Sequence, residues 1–295
     1  MVYTTLTDRI GNNLFQIAAG ASLAHANHSD YLVCITNFIL PDGNTLQESI
    51  AEYRKSILRN IKFLDGIPNE SIEYVQPGFH YTPITYFDNI RLTGYYQTEK
   101  YFDKDYVRQL FSIDNETLAY IKGKYKDLFE KEVVSIHVRR GDYVKDPRRH
   151  PVCSKRYFRN AINYIGRDKT YLVISDDIEW CKTIFRGSNY VFSEKESAIV
   201  DLYLQTLCTH NIISNSSFSW WGAWLNTHPN KIVIAPNKRW FGKQLNHANV
   251  SDVIPQEWIR LNNPLPFSLR LKIFRQDAMD FPGRVIGKLK RLCNG

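Results

Sequence analysis

The sequence predicts an α/β protein made of two Rossmann-type units facing across a cleft, with a parallel sheet in the C-terminal one. Three observations predict it. Between Val133 and Ala235, short β-branched runs alternate with helical stretches, the pattern of βαβ units. A less regular set of strand and helix signals fills the first third of the chain. The length, 295 residues, allows each unit its own core. The division expected is an N-terminal unit over 1–130, a Rossmann-like unit over 131–255 and a basic tail over 256–295.

In the N-terminal unit, Gly11-Asn12-Asn13 reads as a turn before an Ala-rich helix from Leu14 to Ala26. Tyr31-Leu32-Val33-Cys34-Ile35 reads as a strand. Residues 41–90 alternate short patterns punctuated by Pro and Gly, and Ile90 to Tyr96 reads as a further strand. A polar helix around 114–130 connects the units. In the second unit Val133–Val138, Thr170–Ser175, Asn211–Ser214 and Lys231–Ala235 read as strands, the last stopped by Pro236. Helices are expected at 154–165, Ile178–Phe185, Ser197–Thr209 and 217–226. An amphipathic basic stretch around 268–292 suits a peripheral anchor or wrapping helix.

Composition narrows the function classes. Hydrophobic residues at 43% and charged residues at 23% are ordinary for a soluble globular chain. No apolar run approaches membrane-spanning length. Five widely spaced cysteines without a CxxC pair argue against a zinc ribbon or disulfide framework and fit a reducing cytoplasm. The first residues lack a charged start and apolar core, so no secretory leader is expected. Aromatic content is high at 14%, and Tyr95-Tyr96 and the Trp220–Trp224 cluster suit stacking on sugars or bases, although most aromatic side chains are expected in the core. A net charge of +8 favours acidic partners: nucleotides, nucleic acid or an anionic membrane surface.

The charge is concentrated. Residues 136–160 carry eight Lys/Arg against Asp142 and Asp146. Within them Ile136-His137-Val138-Arg139-Arg140-Gly141-Asp142 runs off the end of a strand. Guanidinium groups there can grip an anion with paired, charge-assisted hydrogen bonds. Two further loops leave the same expected edge of the sheet: Ser175-Asp176-Asp177 and Ser214-Asn215-Ser216-Ser217-Phe218-Ser219. Small hydroxyl residues opening a helix bind phosphate through their oxygens and free N–H groups. An aspartate can accept paired bonds from guanine. Each residue also has a plainer role. Ser217 can be an N-cap, Asp176 and Asp177 can cap the following helix, and His137 can be a satisfied core histidine. A divalent ion held by Asp176-Asp177 ranks lower, because adjacent carboxylates project differently and the arginines already supply positive charge.

These motifs carry a resemblance. His137–Asp142, Ser175-Asp176-Asp177 and Asn215–Leu225 are similar to segments of the bacterial α-1,2-fucosyltransferases, glycosyltransferase family 11. Leu92–Phe102 resembles that family's mid-chain segment. Gly11-Asn12-Asn13-Leu14-Phe15-Gln16 resembles its N-terminal motif, with Asp8-Arg9 in place of glycines and Asn13 in place of glutamine. The resemblance runs from about Gly11 to Trp240. It implies a GT-B fold and an inverting transfer of L-fucose from GDP-β-L-fucose to the 2-hydroxyl of a galactose-type acceptor, with no cofactor and no metal. By motif, Arg139 is similar to the arginine on the β-phosphate, helped by Arg140, and His137 to a histidine near the nucleotide. Asp177, beside Asp176, is similar to the guanine reader, Ser216 and Ser217 to phosphate-binding hydroxyls, and Asn12, in the N-terminal motif, is a further candidate for donor binding.

Fucosyl transfer releases GDP, so stabilising the departing pyrophosphate is the main electrostatic task. Asp142 and Asp146 are candidates for the base by proximity, and His137 a weaker one. The expected partners are GDP-fucose and a galactose-terminated surface glycan, in the cytoplasm and peripheral to the inner membrane face. A transferase using another GDP-sugar is the alternative. A nucleic-acid-binding protein is disfavoured, since the cations group on one loop and the tail and no binding motif is present.

Overall fold

The computed structural model describes residues 1–237, 240–245 and 247–279. The chain runs β1 (Val2–Thr5), α1 (Ile10–Ala26), β2 (Tyr31–Ile35), α2 (Leu46–Ile50), β3 (Phe63–Asp65), β4 (Ile72–Val75), β5 (Ile90–Thr93), α3 (Lys104–Leu110), α4 (Asn115–Lys124) and α5 (Lys126–Phe129). It continues through β6 (Val133–Val138), α6 (Gly141–Lys145), α7 (Lys155–Ile165), β7 (Thr170–Ser175), α8 (Ile178–Ile184), β8 (Tyr190–Phe192), α9 (Ala198–Leu207), β9 (His210–Ile212), α10 (Ser217–Leu225), β10 (Val233–Asn237) and β11 (Ile259–Asn262). Residues 267–279 are helical; the remainder of the expected 268–292 stretch lies outside the described residues.

Two parallel sheets result, ordered β3-β2-β1-β5-β4 and β11-β10-β9-β6-β7-β8. In the first sheet β1, β2 and β3 step outward on one side, while β4 enters at the far edge and β5 returns beside β1. Loops 6–9 and 94–97 share a crevice at the carboxyl ends of β1 and β5, where Gln16 Nε2 donates to Thr7 Oγ1 (2.8 Å) and Gly94 O (3.0 Å). In the second sheet, β6 to β8 and β9 to β11 step outward on opposite sides of the β6/β9 boundary. Such a reversal opens a crevice at the carboxyl ends of the two strands, shared by loops 139–142 and 213–216. β6 sits at the centre of its sheet with all six residues buried, as a doubly covered strand requires.

The units are joined by a common hydrophobic layer beneath the cleft. Phe15 of α1 packs on Trp220 and Trp221 of α10 at ring distances of 4.5 and 4.9 Å. Phe102, Phe111 and Trp224 complete the cluster. Trp220, Trp221 and Trp224 are therefore core, while Tyr96 is fully buried and Tyr95 half-buried.

Several boundaries differ from expectation. Gly11-Asn12-Asn13 lies inside the first turn of α1, whose start carries no side-chain cap. The strand at Ile90 ends at Thr93, where Gly94 (φ 155°) and Tyr96 (φ 52°) turn the chain. β1, β3 and β4 are short strands without the alternation that marks longer ones. Pro236 lies within β10. The β9 ladder stops at Ile234↔Ile212, and Ile234 offers its carbonyl to that side, so Pro236 turns its missing N–H past the end of β9. β11 adds an edge strand at Ile259–Asn262, extending the second unit beyond residue 255.

Candidate functional site

The second crevice is built by three loops at one carboxyl edge. Leaving β6, Arg139 donates through Nη2 to Asp142 Oδ1 (2.8 Å) and through Nη1 to Asp176 Oδ2 (3.0 Å). The backbone N–H of Arg140 donates to Asp176 Oδ1 (2.9 Å), and its Nε to Asp177 Oδ2 (2.9 Å). The Arg140 guanidinium lies over the Trp180 ring at 3.9 Å, and that of Arg139 over Tyr143 at 5.6 Å. Two arginines thus face three carboxylates in a partly exposed network. Its stacked and paired geometry fixes the guanidinium planes, and an entering polyanion can displace carboxylates from them. Gly141 is required here because a Cβ would stand 2.6 Å from Asp176 Oδ2.

Asp177 also caps α8, accepting from Trp180 N–H at 3.2 Å. The capping role is realised, and both of its oxygens already have a partner. Each oxygen has two lone pairs, so capacity for a ligand donor persists.

The third loop leads into α10. Ser216, not Ser217, occupies the N-cap position, and no side chain caps the helix. The N–H groups of the first turn therefore lack an intrahelical or side-chain acceptor, and with the helix dipole they form an anion-binding end. At the far end Lys231 donates to the carbonyls of Ala223 (2.8 Å) and Asn226 (2.6 Å), and burial pulls its pKa down to about 8. Asn215 fixes the loop by donating to Pro151 O (2.9 Å) and Trp240 O (3.0 Å).

His137 is buried, 5% exposed, with Nδ1 2.9 Å from Ser214 Oγ. Burial, and secondarily the charge of Arg139, lowers its pKa to about 3. So weak a base is ill suited to accept a proton at neutral pH, and the bond to Ser214 braces that loop against β6. Asp142 is half-exposed and engaged by Arg139. Asp146 sits at the C-cap of α6.

Asn12, expected among the donor-binding residues, is engaged within the first unit's own crevice and makes no contact with the arginine network. Its Nδ2 donates to Asp8 Oδ2 (2.9 Å) and its Oδ1 accepts from Gln97 (2.8 Å). The start of α1 lies directly against the start of α10: a Cβ on Gly11 would meet Ser217 Oγ at 2.6 Å and Phe218 N at 2.7 Å, and Trp221 Nε1 donates to Gly11 O at 3.0 Å. The structure therefore brings Arg139, Arg140, Asp142, Asp176 and Asp177 into one network, with Ser216 and Ser217 at the neighbouring switch-point loop.

The eight cations of 136–160 do not act together. Lys155, Arg156 and Arg159 line a recess of about 640 Å³ beside α7, and the Lys155 ammonium also lies 5.9 Å from the Trp180 ring that carries Arg140. Sequence reasoning also passed over Trp180, Tyr143 and Asp8. Nothing in the spacing marks Trp180, whereas Asp8 was visible as a non-glycine at a glycine position.

Paired parallel α/β sheets, joined below and with loops meeting at a switch point above, define a GT-B-like architecture. The chain belongs to glycosyltransferase family 11, whose family model, Glycosyl transferase family 11, matches residues 1–262. O-antigen biosynthesis glycosyltransferase WbnK of Escherichia coli is 30% identical over 307 residues, covering 88% of this chain and 100% of the relative. An alpha-1,2-colitosyltransferase of Escherichia coli is 36% identical over 187 residues, covering 59% of this chain; the match spans 63% of the relative, less than two thirds of its length. A solved glycosyl transferase family 9 structure from Veillonella parvula DSM 2008 superposes with a TM-score of 0.50 at 11% identity, covering 93% of this chain and 90% of that one. That likeness is one of fold alone.

Proposed function

We propose that the protein transfers L-fucose from GDP-β-L-fucose to the 2-hydroxyl of a galactose-type unit in a surface glycan, with inversion and without a metal ion. The observation that carries this reading is the meeting of Arg139, Arg140 and the uncapped start of α10 at one switch point of a family 11 chain. As the hydroxyl proton passes to Asp142 or to water, the acceptor's 2-oxygen bonds to the fucosyl anomeric carbon. The bond from that carbon to the β-phosphate oxygen breaks, and its electron pair stays with GDP. Arg139 and the first-turn N–H groups of α10 receive that charge. Displaced from Arg139, Asp142 and Asp176 remain as nearby counter-charges. Asp177 is the candidate reader of guanine. Metal independence is supported by the arginines, which already neutralise Asp176 and Asp177 and offer the pyrophosphate its positive charge.

A second reading, transfer of colitose, is favoured by the identity to a relative named an alpha-1,2-colitosyltransferase. Offering GDP-fucose, GDP-colitose and GDP-mannose to the enzyme with lactose, with and without EDTA, separates the readings. Product from GDP-fucose in EDTA, with an α-1,2 linkage by NMR, is expected. Preference for GDP-colitose would transfer the assignment to the second reading, and activity abolished by EDTA would remove the metal-free mechanism.

A peripheral contact with the inner membrane face is supported by the helix at 267–279. It leaves Phe267, Leu271, Phe274 and Met279 exposed beside Arg270 and Arg275. Among the described residues, no helix is long and apolar enough to cross a membrane.

A further inference from the structure

In the first sheet the loops after the neighbouring strands β1 and β5 meet at the carboxyl edge, and the arginine network does not involve them. Asp8 stands there with φ 71°, in the left-handed region where glycine is the natural residue. Its carboxylate is held in place by Arg9 N–H (2.9 Å) and Asn12 Nδ2 (2.9 Å), and Asn12 is itself fixed by Gln97. No cation pairs with it among the described residues, because the adjacent Arg9 turns away to Asp42 at 2.9 Å. An oriented carboxylate without a counter-ion, kept in a backbone conformation that disfavours it, marks a functional position.

A row of aromatic rings starts at Tyr95, two residues from the Gln97 that fixes Asn12. Tyr95 stacks on Phe79 (5.6 Å, 15°), Phe79 meets Phe241 edge-on (5.0 Å), and Phe241 meets His150 (5.8 Å). His150 stacks on Tyr143 (4.8 Å, 16°), the ring beneath Arg139. All five rings are half-buried, and the row crosses from the first unit to the second. The charge of Asp8 is felt, after burial, at Tyr95, Tyr143 and His150, so Asp8 lies within electrostatic reach of both ends of the row.

We propose that Asp8 and the rings of Tyr95, Phe79, Phe241 and His150 form the acceptor-sugar subsite. A pyranose presents an apolar C–H face and a rim of hydroxyl donors. The ring row suits the first, and a carboxylate, which only accepts, suits the second. An unpaired negative charge would repel the pyrophosphate of the donor, which places Asp8 on the acceptor side. Its role is to bind and orient the acceptor. This proposal rests on the functional reading above, so its test separates the two.

Lactose is titrated into the protein and followed by NMR, with and without saturating GDP, for wild type, Asp8→Gly and Phe79→Ala. Glycine relieves the backbone at residue 8, so Asp8→Gly folds at least as well as wild type. Losing hydrogen bonds to a charged acceptor is expected to weaken lactose about tenfold or more. GDP affinity is expected to stay within about twofold, because Asp8 does not touch the arginine network. Phe79→Ala is expected to weaken lactose too. Lactose affinity unchanged in Asp8→Gly, or no lactose binding to wild type, overturns the subsite. Failure of GDP to bind overturns the donor reading, while the GDP-free lactose titration still decides the subsite.

Discussion

Arg139 has a position that its sequence neighbours do not share. It touches Asp142, Asp176 and the face of Tyr143, and its neutral truncation leaves the leaving-group charge facing carboxylates. Arg139→Ala is expected to lower turnover by at least about two orders of magnitude, the usual effect of removing one preorganised donor. Near-wild-type single-turnover rates with GDP-fucose would defeat that assignment. Asp177 serves two purposes that one substitution can divide. Asparagine caps a helix about as well as aspartate but gives up the bond to Arg140, so Asp177→Asn should lower the melting temperature only slightly, as loss of a partly exposed ion pair does. The amide cannot accept paired bonds from guanine as a carboxylate does. Discrimination of GDP over ADP is therefore expected to fall by roughly 1–3 kcal/mol, the range for a bidentate base contact. Competition binding with the two nucleotides measures it, and an unchanged ratio assigns Asp177 to capping alone.

At the scale of elements, the contact between α1 and α10 determines where both helix starts lie. Gly11 permits it, since any side chain there would strike Ser217 and the backbone of Phe218. Gly11→Ala should cost about 1–3 kcal/mol as an overpacked seam, seen as a lower urea midpoint. It should also weaken GDP by displacing Ser216 and Ser217. Loss of stability with unaltered GDP affinity would detach the seam from the site. α10 itself was legible in the sequence because the Ser-rich start and the tryptophan run mark a helix. Its role was only half legible. The tryptophans line the layer between the units, and what reaches the site is the bare first turn.

For the whole molecule, one shared layer ties the stability of each sheet to the other. His137 lies in the central strand of the second and is held neutral. Its folded pKa of about 3 lies below the unfolded value of about 6.5. The unfolded chain therefore binds the extra proton between those limits, and stability rises with pH through the window and is lost on acidification from pH 6.5 toward 3. Asp201 works in the opposite sense. Burial raises its pKa to about 6, so its contribution falls as pH rises through about 4–6. His137→Gln should remove up to about 1.4 kcal/mol per pH unit of the acid-side slope. Urea denaturation of both proteins between pH 4 and 7 reads the difference, and parallel curves would show that His137 carries no linkage.

The sequence by itself determined the α/β class, the strands and helices of the second unit, and the three loops that meet at one sheet edge. Those signals are local: β-branched runs, helical periodicity, and charged or hydroxyl residues where a strand ends. Tertiary structure alone decided which charges act together. It placed Arg156 and Arg159 in a recess beside α7, set His137 against Ser214, and closed Asp142, Asp176 and Asp177 onto two arginines. It also brought Asp8 within electrostatic reach of Tyr143 and His150, residues more than a hundred positions away. Such pairings depend on strand order and on the shared helical layer, and neither is encoded in any short segment of the chain.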